Sequence, residues 1–297
     1  MTFDGVHLTW HWSPFSLAAL FLFCLAYGLT LGLMHRRKPL ERPIKSRQIA
    51  WFCGGVLIIA LFLFTPFDAV ARTQLFLAHM FQVVFIITFA VPCILFACPA
   101  WLFQPAFDWP ISRAVIKGVT QPVVASVIFN ATFVFWHLPM VYDKTLQISY
   151  LYHIMIWSLF LVSFLNWWPL IGPDRHLHQM SYPAQIAFAF LDGEPLAIYA
   201  FIIVFSGVVI YPYAVPSQFL SAYADQASAG ALLLLPGIVD LIVMSPLFFR
   251  WLQQIEEKAR RNDERIQAIL EARRRAEMEG EGEAEGMPYG GATGVVD

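Results

Sequence analysis

Long apolar runs separated by short polar stretches fill most of the chain. Seven stand out, at about 14–34, 48–66, 75–98, 122–141, 150–171, 183–212 and 227–249. Roughly 20 apolar residues suffice for a helix to cross a bilayer core. A backbone in lipid must satisfy its own hydrogen bonds, so each run predicts a helix. Period-two alternation is absent, which excludes a transmembrane β-barrel. The pattern predicts an all-α fold: a polytopic membrane protein with a seven-helix transmembrane bundle over 1–249. The first run does not read as a signal peptide, because its basic cluster follows it rather than precedes it.

After residue 249 the pattern changes. Residues 250–276 carry opposite charges at three- and four-residue spacing, with a thin stripe of Leu252, Ile255, Ile266 and Ile269. This predicts a charged, solvated helix. The last stretch, 277–297, is rich in Gly and Glu and predicts a disordered acidic tail.

Composition agrees with the runs. The chain of 297 residues is 58% hydrophobic and 13% charged, where a soluble domain carries about 25% charged residues. Of its 19 Lys and Arg, 17 fall in the stretches 35–47, 99–121, 172–182 and the tail from 250, leaving only Arg72 and Lys144 opposite. Basic loops stay in the cytoplasm, so the N-terminus is expected outside and the C-terminus inside. No basic stripe interleaved with aromatics marks a nucleic-acid surface. Cys24, Cys53, Cys93 and Cys98 all lie in apolar runs and read as buried small residues rather than a disulfide framework.

Polar groups inside the runs carry the candidate chemistry. With a rise of 1.5 Å per residue, His79 is expected about 6 Å below the outer end of its helix. His137 and His153 are expected at a similar depth, and Met80, Met140 and Met155 lie near the three in sequence. Imidazole with thioether suits cuprous copper. The alternative is plain hydrogen bonding between helices, since neighbours such as His79 and Met80 point about 100° apart. His7 and His11 lie outside the runs and are candidates for an outer surface site. Asn130 reads as a mid-helix amide bonding a neighbouring helix.

A second set is deeper. Asp192, Glu194 and Asp240 are expected at one level in the inner half of the membrane, as protonated carboxyls, a packed polar network or an ion path. Gly193 and Pro195 weaken the helix there. Pro92, Pro139, Pro169, Pro195, Pro236 and Pro246 predict kinks. No phosphate loop or nucleophile elbow is present, so nothing points to an enzyme.

In order along the chain stand AHMFQ (78–82), AVPCILFACP (90–99), FNATFVFWHLPMVYD (129–143), YHIMIWSLFLVSFLNWWPL (152–170), IYPYA (210–214) and ADQASAGALLLLPG (224–237). With these the chain resembles the CtaG family of caa(3)-type cytochrome c oxidase assembly factors. The family pattern runs His-Met-x-Gln-His and His-x-x-x-His, where this chain has Val83 and Trp157 at the second histidine positions. Asp225 and Gln226, in the DQ segment, are close to the pattern. The resemblance implies a non-catalytic role at the bacterial cytoplasmic (inner) membrane, with cytochrome c oxidase subunits as partners. Copper handling or scaffolding of a subunit at the periplasmic face would follow. A haem-binding electron carrier and a proton or ion transporter are the alternatives.

Overall fold

A computed structural model describes residues 2–3, 6–10, 12–37, 41, 43–173, 180–211, 213 and 220–285. His11 and the side chain of His7 lie outside the described residues. Among the described residues the regular structure is helical apart from a two-residue antiparallel pairing, β1 (Thr2–Phe3) with β2 (Val6–His7). Six helices are long and apolar enough to cross a membrane, and seven when one bent pair counts as a single span. The protein is therefore a multi-pass helical membrane protein, as the runs predict. All four cysteines are free thiols.

The first two spans are α1 (Pro14–Arg37) and α2 (Ser46–Leu63). A short helix α3 (Pro66–Thr73) follows, with Pro66 at its start and the Thr65 hydroxyl accepting from the Phe67 amide at 3.3 Å. Proline suits a helix start because its missing N–H has no partner there anyway.

The third span is α4 (Phe76–Phe85), a π-helical turn over Ile86–Ala90, and α5 (Val91–Ala97). Pro92 accounts for the turn. The Val91 amide bonds Ile86 O, and five residues beyond Ile87 comes Pro92, which has no N–H to give. The Ile87 carbonyl takes Trp167 Nε1–H instead, at 2.9 Å.

After a 3-10 turn (Ala100–Phe103) and α6 (Gln104–Asp108), α7 (Pro110–Val119) meets α8 (Pro122–Trp136) at a bend of 68°. The run 122–141 is not one helix. It breaks after Trp136, and α9 (Pro139–Gln147) begins at Pro139. The cause is Pro139, which drives Leu138 to an extended conformation (ψ 130°). At 15 residues, α8 is about 22 Å long, short of a bilayer core of about 30 Å. It makes a span only with α7 included.

The fifth span is α10 (Ser149–Ile171) and the sixth α11 (Tyr182–Phe205). The run 183–212 also ends early, because the chain turns after Phe205 through Gly207 at φ +67°. Then come α12 (Ala222–Leu232) and α13 (Leu235–Glu285). Gly230 lets α12 approach α11: a Cβ there would stand 2.8 Å from Val204 Cγ2 and 3.0 Å from Ala200 O.

Helix α13 carries on past residues 249 and 276 to Glu285, so neither expected boundary is a break in the helix. Of the tail 277–297, residues 286–297 lie outside the described residues. Residues 246–297 form a compact unit separate from 1–245. Within that unit Glu257 bonds Arg260 at 2.7 Å and Arg261 at 2.9 Å. The Arg261 bond holds the Glu257 carboxyl below its ordinary range. Ile266 and Ile269 are exposed, so the expected apolar stripe leads a solvated helix.

Candidate functional site: a buried histidine pair

The break at Pro139 places His137 at the C-terminal end of α8, and α4 brings His79 to meet it. Their Nε2 atoms stand 3.2 Å apart. Both imidazoles are buried, at 0% and 1% exposure. The other nitrogen of each ring decides what fills the gap.

His137 Nδ1 lies 2.8 Å from the Phe133 carbonyl. A carbonyl only accepts, so Nδ1 carries the hydrogen and the neutral ring keeps a lone pair on Nε2. His79 Nδ1 lies 2.8 Å from the Tyr152 hydroxyl, and that hydroxyl lies 2.6 Å from Gln82 Oε1. The Gln82 amide is fixed from its other side, where Nε2 donates to Phe62 O at 2.8 Å and Asp68 Oδ1 at 3.0 Å. Gln82 Oε1 therefore needs a donor, and the single proton of Tyr152 goes to it. His79 Nδ1 must then donate to the Tyr152 oxygen, which leaves a lone pair on His79 Nε2 as well.

Two lone pairs thus face each other across 3.2 Å. With that assignment of hydrogens the pair is able to bind a cation, either a proton or a metal ion. A ring N–H tied to a carbonyl or a polar chain is the usual outer support of a metal-ligating histidine. The spacing fits one edge of a tetrahedral ligand set, about 3.3 Å for bonds of about 2.0 Å. It does not fit haem, whose two axial nitrogens stand about 4 Å apart with a macrocycle between.

The support extends to the end of the bundle. Asp68 accepts from Arg72 Nε at 3.0 Å, and Arg72 reaches Ser149 Oγ at 3.0 Å. On the other flank the freed His137 carbonyl accepts from the Tyr211 hydroxyl, which in turn accepts from the Tyr199 hydroxyl at 2.6 Å. Tyr142 lies against both imidazoles, with ring centroids 5.0 Å and 6.0 Å away, and its hydroxyl meets Tyr213 at 2.6 Å. Burial pushes the Tyr211 phenol up to about 12 and the Tyr142 phenol well above its usual range. Both stay neutral hydrogen-bonding groups at physiological pH.

Two of the three outer histidines therefore meet. His153 is buried beside them but turned away: its Nδ1 lies 3.0 Å from Ser16 Oγ of α1, and its ring packs edge-on against Tyr152. Trp157 donates to the same Ser16 hydroxyl at 3.1 Å. Met80 and Met155 are buried, whereas Met140 is 84% exposed and does not join the pair. Among the described residues no group of three or more His, Cys, Asp or Glu side chains could hold a metal ion.

Asp225 and Gln226 serve the frame. The two Asp225 oxygens accept from the Phe76 and Leu77 amides at 2.8 Å each, capping the start of α4, the helix that carries His79. Gln226 Oε1 accepts from Ile210 N at 2.6 Å, and its amide donates to Ser206 Oγ and Val208 O. That clip holds the loop bearing Tyr211.

The deeper set sits apart. Asn130 Nδ2 lies 3.3 Å from Asp192 Oδ1 on α11, and Asn166 Nδ2 lies 2.6 Å from Asp192 Oδ2. Asp192 and Asp240 line one small cavity, and Glu194 lines a neighbouring one with Asp240. Sequence reasoning missed Asn166, Tyr152 and Gln82. Asn166, an amide inside an apolar run, had a readable signal. Gln82 sits three residues after His79, the spacing of one helix face.

This geometry defines a polytopic helical membrane protein with a buried imidazole pair in a hydrogen-bonded frame. A family model described as cytochrome c oxidase caa3 assembly factor (Caa3_CtaG) matches residues 25–254, and the chain belongs to that family. No curated protein and no solved structure matches it.

Proposed function

We propose that the chain serves assembly of a caa3-type cytochrome c oxidase by holding cuprous copper between His79 and His137 as cargo. One observation carries this reading: the two Nε2 atoms face each other at 3.2 Å, and the partners of both Nδ1 atoms assign those nitrogens as donors, which leaves a lone pair on each Nε2. Imidazole suits copper, and the 3.2 Å spacing fits two positions of a four-coordinate site. Two of four tetrahedral positions remain for a donor or a receiving subunit. The basic asymmetry puts the pair toward the periplasmic face of the bacterial cytoplasmic membrane, where an oxidase subunit would be the client.

The test is His137→Ala in cells. Oxidase copper content and activity fall while the variant accumulates in the membrane, and added copper restores part of the loss by mass action. Unchanged oxidase copper and activity at normal and limiting copper would remove the copper role.

A scaffold that binds no metal is the second reading. The burial of both imidazoles favours it. It predicts loss of oxidase subunits in the deletion strain that no copper supplement restores.

A further inference from the structure

The second polar cluster lies seven residues back along α8 from His137, about 10 Å at the helical rise. Its members come from four helices: Asn130 on α8, Asn166 on α10, Asp192 on α11 and Asp240 on α13. Both amides aim their N–H groups at Asp192. Asn130 and Asn166 are 8% and 9% exposed, and the Oδ1 atom of each has no hydrogen-bond partner. Turning either amide over would set oxygen against oxygen at Asp192 and leave a donor unpartnered instead. A buried amide oxygen without a donor is costly, so two acceptors here ask for one.

Asn166, Asp192 and Asp240 border a cavity of about 30 Å³, room for one water by the threshold of about 10–15 Å³. Asp240 Oδ2 comes close to the backbone beside Asp192, since a Cβ on Gly193 would lie 3.3 Å from it. The cavity meets Ile87 and Thr88 of the π-helical turn, so irregular backbone borders the water-sized space. A second cavity of about 190 Å³ shares Gly193, Leu196, Pro236 and Asp240 with the first, and brings in Glu194. Asp192, Glu194 and Asp240 are the titratable groups of the two cavities, and no Lys, Arg or His lines either.

We propose that Asp192 and Asp240, with Asn130 and Asn166, form an intramembrane proton-binding site. One carboxyl proton is shared between the two acids through a single water, and the unpartnered Asn166 oxygen, beside the cavity, accepts from that O–H network. Glu194, in the wider cavity, lies on the route by which the proton enters. A metal cation is disfavoured, because both Asp192 oxygens already accept from the amides and too few oxygens remain to replace a hydration shell. The site is independent of the histidine pair and of copper.

The test is infrared spectroscopy of the full-length protein in lipid nanodiscs at neutral pH. We expect a protonated-carboxyl stretch that shifts in deuterium oxide, is lost in Asp240→Asn and in Asp192→Asn, and moves in frequency in Asp240→Glu. It should be insensitive to sodium at fixed pH. Absence of the band in wild type, or its persistence in both Asn variants, would overturn the proposal. So would its removal by sodium, which would assign a metal-cation site. Where an Asn variant does not fold, the Asp240→Glu shift decides: an unmoved band refutes the site.

Discussion

The two buried polar clusters differ in how fully they are satisfied. Around His79 and His137 nearly every polar atom has a partner, in a chain from Arg72 through Asp68, Gln82 and Tyr152 to His79. The one contact not fixed by another partner is that between the two Nε2 atoms, 3.2 Å apart. Around Asp192 the amide donors are used and two amide oxygens are left open, that of Asn166 beside a water-sized cavity. The first arrangement fixes tautomers and aims lone pairs, which suits a soft metal ion. The second offers only oxygen, which suits a proton. The depth of the histidines alone does not distinguish these cases. The distribution of hydrogens does.

With both histidines in place, the largest effect on copper should come from the relay. Tyr152→Phe removes the hydroxyl between His79 and Gln82 and frees the His79 tautomer. Copper affinity should fall about 10–100-fold, the range for lost outer support. Stability should fall by about 1–2 kcal/mol, since intramembrane hydrogen bonds average about 0.6 kcal/mol and reach about 1.7. Chelator competition and detergent unfolding measure the two. A copper loss without a stability loss would show that the relay tunes the pair and does little to hold the fold.

Asp225→Ala strips the cap from α4 and should cost about 1–2 kcal/mol, with a smaller loss of copper than Tyr152→Phe. Asn130→Ala, in the other cluster, should cost about 1 kcal/mol or less, because its side-chain oxygen makes no hydrogen bond. It should leave copper binding unchanged. If it weakened copper as much as Tyr152→Phe, the two clusters would be one coupled site.

Alkali probes the tyrosine flank. The Tyr211 phenol is raised by burial to about 12, from about 10 in the unfolded chain. The unfolded chain therefore releases its proton first as pH rises. Stability from this residue is intact below about pH 10 and falls between about 10 and 12, by about 2–3 kcal/mol at two pH units. Comparing wild type with Tyr211→Phe isolates that slope. The smallest effect belongs to Glu257→Gln, whose ion pairs are exposed and which should leave stability unchanged within error.

Much of this was legible in the sequence. Apolar runs located the spans because hydrocarbon demands length and internal hydrogen bonding. The ends at Trp136 and Phe205 were not, since an apolar run continues past both. Pro139 broke the first, and the turn at Gly207 with the Gln226 clip set the second. Depth brought His79, His137 and His153 to one level, but which of them meet depends on helix rotation. His153 turned to Ser16, beside Trp157, which stands where the family pattern has a second histidine. Tyr152 carries no intrinsic signal for a relay, because its role exists only once Gln82 and His79 flank it.

The most direct test is titration of cuprous ion into the purified full-length protein in nanodiscs, in competition with a chelator. The account predicts one cuprous ion per chain with nitrogen ligands visible by X-ray absorption. Binding should be lost in His79→Ala and His137→Ala and kept in His153→Ala. No binding by the folded wild type, or binding that survives both His79→Ala and His137→Ala, would contradict it.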